Sequence, residues 1–209
     1  MLRGVVAALL AGGVLLAALF VVSQSPFAPS RFEFGVFRDY EGDLIEWPYP
    51  ALIAADGSRY LLVAAGKHGA GGLVRGLDGR RVTLRGSLIE RGPDRMLEIE
   101  SAPRRGVASS PRPQPVELGR FRLTGEIVDS KCFLGVMNPG QGKVHRDCAV
   151  RCISGGIPPA LFVAGETGAG RLLLLTGVPV RELLPIVGQR VTIEGTLLRD
   201  GPHWILRRE

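Results

Sequence analysis

The 209-residue chain contains no Cys-x-x-Cys pair, no Gly-x-Ser-x-Gly elbow, no phosphate-binding loop ending in Gly-Lys-Ser/Thr and no His-Glu-x-x-His. A thioredoxin-type exchange motif, a serine-hydrolase nucleophile, a nucleotide-binding P-loop and a zinc-protease helix therefore lack the residues that would build them. Acidic residues are dispersed, so no carboxylate pair suggests glycoside hydrolysis. Aromatic residues are only 6% of the chain and its 26 Lys and Arg are scattered. A basic stripe interleaved with stacking rings, the footprint of a nucleic-acid binder, is missing, and no nucleic-acid partner is expected. The glycine-rich "GETGAGR" at 165–171 has no Lys-Ser/Thr ending and reads as a turn between strands.

Charge is also missing from the start of the chain. In "MLRGVVAALLAGGVLLAALFVV" Arg3 is the one charged side chain, and the 19 positions from Gly4 to Val22 are apolar or glycine. At about 1.5 Å per residue they cover the roughly 30 Å of a bilayer core. A cleaved signal peptide has a shorter apolar region, about 7–15 residues, so residues 1–24 are expected to be an uncleaved single-pass anchor. Arg3 precedes the span, which keeps the short head in the cytoplasm and sends the rest across the inner membrane into the periplasm. Cysteines there meet an oxidising milieu in which disulfides persist. No twin arginine precedes the apolar run. Export unfolded is therefore expected, with any cofactor acquired afterwards, which argues against an iron–sulfur cluster loaded in the cytoplasm.

What the chain does have is a duplication. "GRRVTLRGSLIERGPDRMLEI" (79–99) and "GQRVTIEGTLLRDGPHWILRR" (188–208) share nine identities in 21 positions at a constant offset of 109. Each copy reads as a hairpin, with alternating apolar residues in the strands and a Gly-Pro turn. Upstream, "SRYLLVAAG" matches "GRLLLLTG" as a third strand. "PALIAA" and "PALFVA" supply second strands, and "FEFGVF" and "RFRLTGEIVDS" first ones. A short helix is expected between strands three and four, best seen in "PVRELLPIV".

The order strand, strand, strand, short helix, strand, strand resembles the OB-fold, a five-stranded Greek-key barrel. The resemblance implies a mainly β protein in which two tandem OB-like barrels, 32–101 and 118–209, follow the transmembrane helix. Between them lies a Pro-rich linker, 102–117, expected to be extended and exposed. Such barrels host many kinds of binding, so function must come from what differs between the copies. From first-strand glycine to third strand, copy one spends 24 residues (Gly35 to Arg59) and copy two 46 (Gly125 to Arg171). The surplus is a loop–helix insertion at 129–159.

That insertion holds all three cysteines, in "DSKCFLGVMNPGQGKVHRDCAVRC". "VHRDCAVRCISGG" has helical spacing, so His145, Cys148 and Cys152 are expected on one side of about two turns, with the glycines as the stop. Cys132 arrives across a glycine-rich loop. Three thiolates and one imidazole form a recognised tetrahedral zinc set, while soft thiolates also favour copper(I). Met137 is a further candidate donor, and haem is a third possible cofactor. A disulfide from Cys132 to Cys148 or Cys152, with one thiol left over, is the structural alternative; it would stabilise by roughly 3 kcal/mol. Asp129 and Lys131 flank Cys132, and the lysine could favour its thiolate. His68 and His203 are read as surface residues.

The Cys-x3-Cys pair with a nearby His is similar to the copper sites of cytochrome-oxidase subunit two and its assembly chaperones. Here His145 precedes the pair, so ligands do not transfer by position. The wording of 129–159 also resembles a motif of uncharacterised bacterial membrane-anchored proteins, which implies no activity. The expected function is a membrane-anchored periplasmic metal-binding or redox accessory that uses Cys132, His145, Cys148 and Cys152 beside a respiratory or redox partner in the membrane. The alternative is a non-catalytic protein-binding scaffold whose loop is braced by a disulfide.

Overall fold

The computed structural model describes residues 2–24, 29–109, 114–165 and 170–209. It opens with helix α1, Leu2–Ser23, which is long and apolar enough to cross a membrane and has no buried residue. A single span and a signal sequence share that description.

The first module runs β1 (Arg31–Phe32), β2 (Arg38–Ile45), β3 (Ala51–Ile53), β4 (Arg59–Ala64), α2 (Gly71–Val74), β5 (Arg80–Arg91), β6 (Asp94–Ile99) and β7 (Arg104–Ala108). The second runs β8 (Val116–Asp129), α3 (Arg146–Ser154), β9 (Pro159–Val163), β10 (Arg171–Thr176), α4 (Val180–Leu183), β11 (Arg190–Asp200) and β12 (His203–Arg207). In each module five strands close into a barrel, and the closure pairs the third strand parallel to the fifth: β4 with β6, β10 with β12. All other pairings are antiparallel. This is the OB-like arrangement, with the short helices between strands three and four.

The repeated Gly-Pro pairs make two-residue hairpin turns, joining Arg91 to Asp94 and Asp200 to His203. Gly92 and Gly201 sit at φ +58° and +62°, as the first central position of a type II′ turn requires.

Sequence expectations change at two strands. The first strand of the first barrel is β2, not "FEFGVF", which contributes only the two-residue β1 on the outside of β5. The counterpart of Gly125 is therefore Gly42: at both, a Cβ would lie 2.4 Å from a carbonyl oxygen of the adjacent second strand. From Gly42 to Arg59 is 17 residues against 46 in the second barrel, so the insertion is longer than the Gly35 count implied. In the stretch read as a linker, Arg104–Ala108 form β7, exposed throughout but paired to β5. The central part of "GETGAGR", 166–169, lies outside the described residues, as does 110–113 of the linker.

Each barrel has its own apolar interior. A third cluster spans both, bringing Ile45, Val63 and Met96 together with Phe133, Leu174 and Ile205. Polar contacts reinforce this junction. Arg59 pairs with Asp200 at 2.5 Å with both side chains nearly buried, the Tyr49 hydroxyl donates to the Leu175 carbonyl, and Arg91 donates to the Phe133 carbonyl at 2.8 Å. His203, expected at the surface, is instead 6% exposed beside this Arg59–Asp200 pair. The Gly-Pro turn before it carries it into the junction. His68 is exposed.

Candidate metal centre

Strand β8 ends at Asp129, and the chain turns sharply through Cys132–Val136 before a 3₁₀ turn at Lys143–His145 leads into α3. Asp129 is fully buried and organises both arms. One carboxylate oxygen accepts the Cys132 backbone N–H at 2.8 Å, and the other lies 2.9 Å from His145 Nε2.

Helix α3 places Cys148 and Cys152 one turn apart. Ala149 and Ile153 on its inner face join the core of the second barrel, while Cys152 joins the cluster between the barrels. The helix stops at the two glycines as the spacing implied: the Gly155 N–H bonds the Arg151 and Cys152 carbonyls, and Gly156 takes φ +93°.

The three sulfurs converge. Cys132 Sγ is 4.0 Å from Cys148 Sγ and 4.0 Å from Cys152 Sγ, and all three atoms lie within 4.8 Å of one another. A triangle with two 4.0 Å edges and a third of at most 4.8 Å has its centre about 2.3–2.5 Å from each corner, close to the metal–sulfur bond length of about 2.3 Å in a zinc thiolate. A disulfide needs about 2.04 Å. All three cysteines are free, so the disulfide that was the structural alternative is not formed. Cys132 and Cys152 are buried while Cys148 is partly open to solvent. An ion could enter at Cys148.

The expected fourth donor is placed differently. His145 is buried, and its Nε2 is engaged by Asp129. It belongs to a second group, Asp129, Cys132 and His145, that shares only Cys132 with the sulfur triangle. This carboxylate–imidazole pair braces the Cys132 arm, in the manner of the outer shell of metal sites. Met137 closes the turn through its backbone N–H to the Cys132 carbonyl at 3.3 Å, and its side chain is 47% exposed.

The cation beside the sulfurs is not the one that proximity in sequence suggested. Lys131, next to Cys132, is 2% exposed and turns away from the sulfurs. Its ammonium pairs with the Glu98 carboxylate and donates to the carbonyls of Ala64 at 3.0 Å and Gly66 at 2.6 Å, all in the first barrel. Lys67, from the loop that Lys131 clasps, lies 2.8 Å from Cys148 Sγ and 3.7 Å from Cys152 Sγ.

These contacts set the thiol chemistry. Cys152 is held below the ordinary thiol range, first because the Cys132 thiol donates to it and also because Lys67 is near, against burial and the Asp129 charge. Cys132 is pushed up by acting as that donor, by burial and by Asp129. Lys67 is raised, chiefly through its hydrogen bond to Cys148. The contacts therefore favour ionisation at Cys152 over Cys132.

Lys67 and Glu98 escape sequence reasoning because they are contributed by the other barrel. The available signal was the departure of "GKHGAGG" in copy one from "GVPVREL" in copy two, at the end of otherwise matching strands. Fold and site together define a tandem OB-like barrel protein with a three-cysteine cluster at the barrel junction. The chain matches no protein-family model, no curated protein and no solved structure in the three comparisons made.

Proposed function

We propose that the protein is a membrane-tethered metal-handling accessory that holds one soft ion, copper(I) or zinc(II), on Cys132, Cys148 and Cys152. The observation that carries this reading is the convergence of three free sulfurs to within 4.8 Å of one another, a distance that suits shared coordination. Three donors aimed at one point suit a bare ion better than a haem, which takes one or two axial ligands. Helix α1 supports a tether. With Arg3 ahead of the apolar run, the barrels belong on the periplasmic side of an inner membrane. There the partly open Cys148 edge can pass an ion to or from a respiratory or redox protein in the same membrane.

The test is anaerobic titration of the reduced full-length chain in detergent with copper(I) and with zinc(II), followed by metal analysis and X-ray absorption. One ion per chain with a shell of three sulfurs at about 2.3 Å is expected. No uptake of either ion by the fully reduced chain would overturn the reading.

A second reading, thiol–disulfide exchange, is favoured by one observation, the 4.0 Å approach of Cys132 Sγ to Cys152 Sγ, whose thiol is held below the ordinary range. It expects reversible loss of two thiols under a mild disulfide oxidant. A three-sulfur metal shell with all thiols retained would reject it.

A further inference from the structure

We propose that Lys67, supplied by the first barrel, makes the three-sulfur site selective for copper(I) over zinc(II). The inference rests on the reading of Cys132, Cys148 and Cys152 as metal ligands, and it assigns the first barrel a part in the site.

Lys67 is not a loose surface side chain that happens to lie near sulfur. Its loop is closed by backbone bonds from the Ala64 N–H to the His68 carbonyl at 2.9 Å and by the bridge between Val63 and Gly69. Lys131, from the residue before Cys132, clasps the Ala64 and Gly66 carbonyls from inside. On the far side the Gly69 N–H donates to the Gly155 carbonyl at 2.9 Å, and a Cβ on Gly155 would come within 1.9 Å of the Lys67 carbonyl oxygen. The cysteine-bearing segment thus grips the loop at both of its ends, and the grip aims the Lys67 ammonium at Cys148 and Cys152.

The chemistry follows from where that ammonium stands. An ammonium offers three N–H donors and no lone pair, so it can hydrogen-bond thiolate sulfur but cannot ligate a metal. Cys132 and Cys152 are buried, so the solvent side of the triangle is the Cys148 edge, which Lys67 occupies. Zinc(II) takes four ligands, commonly with water in the fourth position when the protein supplies three. Lys67 competes with that water for the open edge. Copper(I), a soft ion suited to thiolate, is satisfied by three sulfurs. Charge acts in the same direction: three thiolates leave a net −2 around copper(I) but −1 around zinc(II), and a fixed cation stabilises the more negative complex more.

The experiment compares the reduced full-length chain with Lys67→Leu, which removes the charge and adds no metal donor, and with Lys67→Arg, which keeps the charge. Copper(I) and zinc(II) affinities are measured separately by competition with chromogenic chelators, and thermal melting of the metal-free proteins checks folding. Lys67→Leu is expected to lose about tenfold in copper(I) affinity, allowing for solvent screening of an exposed lysine, and to bind zinc(II) as tightly as the parent or more tightly. Lys67→Arg should keep most of the preference. If Lys67→Leu leaves both affinities unchanged, or lowers both by the same factor, the inference is overturned while the metal site stands. A parent chain that binds neither ion overturns the site and the inference together. Should Lys67→Leu melt early, Lys67→Gln is read in its place by the same ratio of affinities.

Discussion

Replacing Lys131 with Met should destabilise the protein far more than the loss of an ordinary lysine. The ammonium is 2% exposed, and all three of its donors have partners: the Glu98 carboxylate and the carbonyls of Ala64 and Gly66. Glu98 retains 14% exposure, too little for water to replace a lost partner fully. Removing one member of a buried ion pair costs about 3–5 kcal/mol, because the other charge is left uncompensated. That is a large part of a typical folding stability of about 5–15 kcal/mol. The double variant Lys131→Met with Glu98→Gln removes both charges, so it should recover much of the loss and reveal a coupling of at least about 2 kcal/mol. Urea unfolding followed by the fluorescence of Trp47 and Trp204 provides the measurement, with all four members of the cycle in the same detergent. The reasoning fails if Lys131→Met costs less than about 1 kcal/mol, the range of a surface lysine. It also fails if the two losses simply add. Retained stability with loss of metal binding would show instead that Lys131 acts on the site without bracing the junction.

Three further outcomes follow from the junction and the cluster. Burial, aided by Arg59 and opposed by Asp200, pushes His203 down to about 4. The fold therefore holds it neutral. This stability is fully present above the unfolded value of about 6.5 and is lost as pH falls toward 4, amounting to about 3 kcal/mol. Asp94, raised to about 6 by burial, works in the opposite sense, so the quantity to measure is the difference between the parent and His203→Leu across pH 4–7. A constant difference across that range would refute the assignment. Gly155→Ala would drive a Cβ into the Lys67 carbonyl and should cost about 1–3 kcal/mol; unchanged unfolding would mean that the barrels do not meet there. Iodoacetamide should label Cys148 first, because Cys132 and Cys152 are buried, and one equivalent of copper(I) should protect all three. Equal labelling rates read by mass spectrometry would contradict the described burial.

How much of this was legible in the sequence depended on how local the cause was. The hairpins β5–β6 and β11–β12 could be read because alternation and a Gly-Pro turn are properties of about 20 neighbouring residues. The first strand of barrel one was misplaced because "FEFGVF" alternates more cleanly than Arg38–Ile45, whose outward face is charged. The clue that identifies β2 is steric, a glycine facing a carbonyl across the sheet, and no periodicity contains it. The convergence of the cysteines was foreseeable from their crowding and helical spacing. The placement of His145 was not, since the buried Asp129 carboxylate 2.9 Å from its Nε2 holds the ring. Lys67 stands 81 residues before Cys148, and only the packing of one barrel on the other brings them together.

That packing gives the duplication a consequence beyond stability. The insertion gathers three sulfurs, but the cation beside them in sequence, Lys131, is committed to Glu98 of the first barrel and supplies them no counter-charge. The duplicated copy solves this with a short loop: Lys131 holds the loop, and the loop returns a different ammonium to the sulfurs. Net charge near the triangle is thereby set by the junction and not by the insertion alone. A change that loosens the barrels without touching a cysteine, such as Gly155→Ala, should therefore alter metal preference in the same direction as Lys67→Leu. If it weakens folding yet leaves the copper(I)-to-zinc(II) ratio at the parent value, cation placement by the junction is wrong, and the two barrels share a core without sharing a site.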